Sequence, residues 1–273
     1  MRHWTLDDID WQAFDRSKTD EDTVRIIKAA SLVEFNGNDY ARYLERVFAG
    51  DTQFIKVAWD WAEEEVQHGE ALRRWAELAD PGWSFEDSFK RFTEGFSLPL
   101  DAEASVRGSR CGELIARCVV EVGTSSYYSA LRDSTDEPVL KQICRNIASD
   151  EFRHYKLFYD HMKRYRDAEK PWLVQRMKVA VGRLIEGEDD ELAYAYFAAN
   201  DIEGPYDRKA CIAAYGSRAF PHYERGHVKL ATGMVMKAVG MKPQSRFGQW
   251  SSNLAWRMFD RRRRQMQAEA PSF

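Results

Sequence analysis

Apolar residues recur at three- and four-residue spacing through long stretches of the chain, and no stretch alternates apolar and polar as a strand would. The pattern predicts an all-α protein. A first helix is expected over 22–48. Ala49, Gly50 and Asp51 interrupt it, and Asp51 or Thr52 supplies an acceptor for the free N–H groups that open a second helix, 52–78. Asp80, Pro81 and Gly82 end that helix. The aromatic stretch that follows, to about 110, is broken by Pro99 and Gly108 and reads as a crossover with short helices. A third helix covers 112–132. The segment DSTDEP then offers Thr135 or Asp136 as a cap, with Pro138 in the first turn of a fourth helix that ends near 166. Beyond Pro171 three or four more helices are expected, broken near Gly187, Gly204 and Pro205, Gly216 and Pro221, and Pro243. Residues 1–273 read as one domain, with a four-helix core at 22–166 and accessory helices at 171–273 packed against it.

Composition adds little to this picture. With 44% hydrophobic residues, 31% charged residues and a net charge of -4, the 273-residue chain has the make-up of an ordinary globular protein. No nucleic-acid partner is expected. Its apolar runs are too short to span a bilayer, and the opening MRHWTLDDIDW lacks an apolar stretch, so a cytoplasmic location with no membrane association is expected. Cys111, Cys118, Cys144 and Cys211 stand apart with no CxxC, which predicts reduced, buried thiols and no rubredoxin-type iron module. The run Arg261 to Arg264 reads as a solvated helix end, with an acidic partner as the alternative.

The candidate chemistry lies in two Glu-x-x-His motifs, EVQH at 65–68 and EFRH at 151–154. Residues three apart share a helical face, and a bundle holding two metal ions takes one such motif from each of two helices and a single Glu from each of the other two. Either motif alone is weak evidence. The single glutamates decide the matter, because two residues at one height in an antiparallel hairpin are equidistant from its turn. Glu34 and Glu65 are centred between positions 49 and 50, at the predicted first turn; Glu121 and Glu151 are centred on Asp136, inside DSTDEP. At ~1.5 Å rise per residue each carboxylate is ~20 Å from its turn, so both hairpins can present ligands at one level. Ala58, Trp61, Leu72 and Trp75 flank Glu65 at helical spacing, and Leu140, Cys144, Ile147, Tyr155 and Phe158 flank Glu151. Charges set in apolar stripes call for compensation, and a metal supplies it. The plainer alternative is that each Glu forms a surface ion pair and each His merely packs.

Other residues are weaker candidates. Glu224 and His227 repeat the spacing, but no antiparallel helix offers them a matching Glu. His161 lies one turn along the Glu151 face, Tyr128 lies two turns beyond Glu121, and Trp59, Trp61 and Trp75 are possible electron carriers; packing explains all of them more simply. Gly37 and Asn38, one turn after Glu34, are small or polar where bulk would fill space near the ions.

WAEEEVQHGEAL and LKQICRNIASDEFRHYKLFYDHMKRY resemble the soluble acyl-carrier-protein desaturases, a branch of the ferritin-like di-iron superfamily. The second match is the longer and more specific, and Glu121-Val-Gly-Thr124 has that family's Glu-x-x-Thr arrangement. The likeness covers the four core helices. It implies a ferritin-like bundle of two antiparallel hairpins joined by a crossover, with two Fe ions held by Glu34, Glu65, His68, Glu121, Glu151 and His154, manganese being an alternative in either position. It further implies that Thr124 manages protons, with a bond to a helix carbonyl as the other reading. Glu64 and Asp150 would accept the imidazole N–H of the histidine on the opposite Glu-x-x-His helix, a solvent-facing Glu64 being the other reading. The implied activity is oxygen-dependent oxidation of an apolar substrate, a carrier-bound acyl chain in the family, with electrons from a ferredoxin-like donor and a homodimeric assembly. SSYYSALR after Thr124 departs from the family, and no carrier contact carries over. A ferroxidase or peroxide scavenger and a non-catalytic helical scaffold are the competing readings.

Overall fold

In the computed structural model, residues 3–185 and 190–271 are described; they form eleven α-helices with no strand among them. The break expected at Gly187 lies outside the described residues. The first hairpin sets α1 (Glu21–Phe35) and α2 (Gly37–Val47) against α3 (Thr52–Ala79). The Asp20 carboxylate accepts from the Thr23 N–H to cap α1, and Asp51 accepts from the Phe54 N–H to cap α3. Gly50, with φ of +90°, makes the intervening turn in a conformation that would strain any residue with a Cβ. The periodicity predicts one helix over 22–48, but the structure divides it at Asn36. The division falls where the chain presses on α3, since a Cβ on Gly37 would lie 2.7 Å from Glu65 Cβ and 3.1 Å from the Ala62 carbonyl.

The second hairpin pairs α5 (Arg110–Ser134) with α6 (Pro138–Glu169). Its cap is Glu137 rather than Thr135 or Asp136. The Glu137 side chain folds back to accept from Val139 and Leu140 N–H, and it is wholly buried because it also accepts from Trp75 Nε1 at 2.7 Å and Asp15 N–H at 3.1 Å. The crossover contains α4 (Phe85–Gly95), capped by Ser84, and α6 runs past 166 to end at Lys170 in the left-handed region.

The remaining helices are α7 (Leu173–Ile185), α8 (Asp190–Ala199), α9 (Arg208–Ala219), α10 (Arg225–Ala238) and α11 (Arg246–Glu269). They cover the core: α7 and α10 lie on α5, α8 lies on α1 and α4, and α9 packs between α8 and α11. Gly216 does not break a helix as expected. It sits inside α9, where a Cβ would lie 2.0 Å from the Met266 sulfur of α11, so glycine serves close packing there. The four cysteines are buried free thiols. Among the described residues no helix is long and apolar enough to cross a membrane. Within the basic run, Arg263 and Arg264 pair with Asp260.

Two apolar clusters fill the interior. One holds Leu32, Leu72, Trp75, Ile143 and Ile147, and the other Phe54, Ala58, Trp61, Leu114, Cys118 and Phe158. Along α3, α5 and α6 the chain passes from one cluster to the other, and the acidic and histidine residues at 65–68, 121 and 151–154 occupy the belt between them.

Candidate metal centre

Helical spacing on α3 and α6 turns Glu65 with His68, and Glu151 with His154, into the interior, where α1 adds Glu34 and α5 adds Glu121. All six are buried, from 0% exposed at His68 to 7% at Glu65. They fall into two groups whose ligand atoms lie within 4.8 Å of one another: Glu34, Glu65, His68 and Glu151 in the first, and Glu65, Glu121, Glu151 and His154 in the second. Glu65 and Glu151 belong to both. His68 Nδ1 stands 3.3 Å from Glu151 Oε1 and 3.9 Å from both Glu34 and Glu65, while His154 Nδ1 stands 2.9 Å from Glu65 Oε1 and 3.7 Å from Glu121 Oε2.

The outer nitrogens of the imidazoles are engaged. His68 Nε2 meets Asp150 Oδ2 at 3.1 Å, and His154 Nε2 meets Glu64 Oε2 at 2.7 Å, so each histidine turns to the carboxylate on the opposite helix. A proton placed on Nε2 by these acceptors leaves the Nδ1 lone pair aimed inward. Arg153 ties the two acceptors together, with Nη2 at 2.6 Å from Asp150 Oδ1 and 2.9 Å from Glu64 Oε2.

The inner atoms lack partners. His68 Nδ1, His154 Nδ1 and one oxygen each of Glu65, Glu121 and Glu151 are buried without a hydrogen bond. With Nδ1 unprotonated these five buried atoms have only one another for neighbours, His154 Nδ1 and Glu65 Oε1 at 2.9 Å included, a costly arrangement that bound cations would relieve. Carboxylate oxygens with one imidazole per group form a donor set that suits a divalent first-row metal. These buried groups could therefore hold metal ions.

Two hydroxyls steer the carboxylates. Tyr128 donates to Glu34 Oε1 at 2.5 Å, a role for which packing alone is the sequence expectation. Thr124 donates to Glu151 Oε2 at 2.5 Å and also lies 3.3 Å from the Val120 and Glu121 carbonyls, so both expected uses of its hydroxyl are present.

The N-terminal segment adds what the sequence does not suggest. Trp4 Nε1 donates to Asp150 Oδ2 at 2.6 Å, its ring lies parallel to His68 with centroids 6.0 Å apart, and its carbonyl accepts from Gln67. His3 Nε2 is 2.9 Å from the same Asp150 oxygen. No periodicity links residues 3 and 4 to position 150.

Other candidates lie apart from this centre. Glu224 and His227 form the opening turn of α10, where both imidazole nitrogens are engaged, one by the Glu224 N–H and one by Asp133. His161 meets Arg164 and the edge of Phe54. Asn38 is exposed, Trp59 bonds Glu45, and Trp75 bonds Glu137; Trp61, 6.4 Å from the His154 ring, is the one of the three tryptophans beside the centre. Gly37 lines the cavity beside Glu34 and Glu65, and a Cβ there would lie 2.7 Å from Glu65 Cβ.

Without metal the cluster holds protons. Burial, reinforced by Glu65 and Glu151, pushes Glu34 and Glu121 well above the usual carboxylate range. Burial alone would also raise Glu65, but the His154 imidazole beside it wins and holds it at about 2. Burial disfavours the cationic histidines, yet Asp150 and Glu151 raise His68 to about 10, and Glu64 and Glu65 raise His154 to about 10. Ligation needs ionised carboxylates and neutral nitrogens, so metal must displace these protons and the metal needed for half-loading falls as pH rises. Calorimetric titration in two buffers of different ionisation enthalpy is expected to show release of about two or more protons per chain. Heats that do not depend on the buffer would rule this exchange out.

A cavity of about 300 Å³ opens onto Glu34, Glu65, Glu121 and Glu151, with Thr124 and Tyr128 in its wall. No protein-family model matches this chain and no curated protein matches it.

Proposed function

We propose that this chain is an oxygen-dependent di-iron oxidoreductase on a ferritin-like four-helix bundle, of the kind the desaturase resemblance implies, acting on C–H bonds of an apolar, acyl-chain substrate. The observation that carries the reading is the division of six buried side chains into two groups that share Glu65 and Glu151, beside a cavity that reaches all four carboxylates. Iron, when bound, would activate dioxygen, which is the oxidant for the substrate, with the electrons supplied by the donor. Glu65 and Glu151, which belong to both groups, would serve both ions, Glu34 and His68 would complete one position, and Glu121 and His154 would complete the other; manganese would fit the same donors. Asp150 and Glu64 fix the imidazoles, and Arg153 keeps the two carboxylates from turning away. Thr124, on the cavity wall and bonded to Glu151, holds a proton on Oγ1 where one is needed beside the ions. The apolar cavity binds the substrate and excludes water. Electrons come from a separate ferredoxin-like donor, as the desaturase resemblance implies. A cytoplasmic homodimer belongs to the same reading.

The test is metal analysis of protein expressed with iron, followed by optical spectra as the anaerobically reduced protein meets oxygen. Two irons per chain, one for each group, and an oxygen-dependent transient are expected. Less than one metal per chain would sink the reading and leave a helical scaffold. Sustained oxidation of added iron, with no apolar compound consumed, would point to a ferroxidase.

A further inference from the structure

The cavity contains a cation that holding the metals does not require. Arg117 stands one helical turn before Glu121 on α5, lines the cavity and is only 9% exposed. Its Nε has no hydrogen-bond partner, and its one ion pair among the described residues is a loose contact with Glu113 at 3.7 Å, beyond hydrogen-bond reach. Glu113 takes its hydrogen bonds elsewhere, from Tyr43 at 2.9 Å and Ser105 at 2.7 Å. The guanidinium instead lies over the Tyr40 ring, 4.6 Å from its centroid, which fixes its plane without using its donors. A guanidinium has five N–H donors in a rigid fork that matches a carboxylate, and burying it unbonded is costly. Much of the surrounding wall is apolar, with Val119, Val120, Leu184, Leu192 and Phe220.

We propose that the substrate is an unesterified carboxylate with an apolar body, its carboxylate held by Arg117 and its body running along α5 past Glu121 toward Thr124. The reaction rests on the di-iron reading, whereas the binding does not. Arg117 and Thr124 are about two turns apart, ~10 Å at ~1.5 Å per residue, so the carbons beside the metal ligands are several bonds from the acid. At the ~30 Å³ that one water occupies, the cavity takes a body of about ten non-hydrogen atoms. A thioester offers the guanidinium no charge, so this site separates the chain from enzymes that need a carrier-bound acyl group.

The experiment is equilibrium titration of the full-length chain, as purified and after chelation, with decanoate, methyl decanoate and decan-1-ol. The chelated protein matters because its buried glutamates cannot attract an acid, leaving that to Arg117 and to Arg183, the other arginine that lines the cavity, and the Arg117 variants tell the two apart. Decanoate is expected to bind at least about tenfold tighter than the ester or alcohol, a difference of about 1.4 kcal/mol. Arg117→Gln removes that preference, and Arg117→Lys, which keeps the charge without the fork, restores part of it. Equal binding of acid, ester and alcohol overturns the proposal, as does unchanged decanoate affinity in a folded Arg117→Gln protein. If that variant loses its helical circular dichroism, Arg117→Lys decides in its place: an acid preference undiminished there overturns the assignment to Arg117. Iron content separates the two readings: acid-selective binding by a chain that takes up no iron keeps the carboxylate site and removes the di-iron function, and two irons with no acid preference does the reverse.

Discussion

A Glu65→Ala, Glu151→Ala double variant is expected to hold less than one metal ion per chain, while Glu34→Ala alone keeps one of two. The difference follows from geometry: Glu65 and Glu151 contribute to both ligand groups, whereas Glu34 contributes to one. Thermal stability carries the same signal. A ligand at one hundred times its dissociation constant stabilises the folded state by about 2.7 kcal/mol per site, so two ions add about 5 kcal/mol. At roughly 2 °C or more per kcal/mol for a chain of this size, metal raises the melting temperature of the unaltered protein by about 10 °C. In the double variant the loaded and chelated proteins melt within about 2 °C of each other, because no position retains both shared carboxylates. Full metal content in that variant, measured by elemental analysis, would falsify the ligand assignment.

The second large effect is steric. A Cβ on Gly69 would lie 2.6 Å from the Phe35 backbone nitrogen, 2.7 Å from its Cα and 2.7 Å from its Cβ. Backbone cannot swing aside as a flexible side chain can, so Gly69→Ala drives the end of α1 off α3. The cost is expected at about 3 kcal/mol, the upper end for overpacking, and it lowers the melting temperature by at least about 6 °C. Gly69 adjoins His68, and Phe35 adjoins Glu34, so the same displacement opens the first ligand group and spares the second. Metal content in the variant therefore falls toward one ion. Gly182→Ala on α7, where a Cβ meets nothing within 4 Å, is the control and is expected to stabilise by about 0.5–1 kcal/mol through helix propensity. Equal melting temperatures for the two variants would show that the close approach at Gly69 is not rigid.

Much of the centre is legible along the chain, for a physical reason. Helical periodicity and distance from a turn are one-dimensional quantities, so Glu34 pairs with Glu65 across Gly50, and Glu121 with Glu151 across the DSTDEP turn, before any packing is known. The cross-pairing of His68 with Asp150 and His154 with Glu64 comes instead from the desaturase resemblance, and the two contacts are present in the structure. Where the chain alone misleads, a tertiary contact has overridden a local signal. Glu137 takes the cap from Thr135 and Asp136 because Trp75 and Asp15 give its buried carboxylate further donors. Gly216 stays helical because Met266 of α11 needs its surface.

By itself, then, the sequence determined an all-helical chain, the two reversals near 50 and 136, and six acidic and histidine side chains meeting at one level, since each follows from spacing within a helix or across a turn. Only the tertiary structure decided that Trp4 and His3 close on Asp150, that Tyr128 holds Glu34, that Phe35 leaves no room at Gly69, and that Arg117 lies unbonded in the cavity wall. These contacts are tied to no helical period and to no distance from a shared turn; they depend on how closely helices approach and on which donors burial leaves without partners.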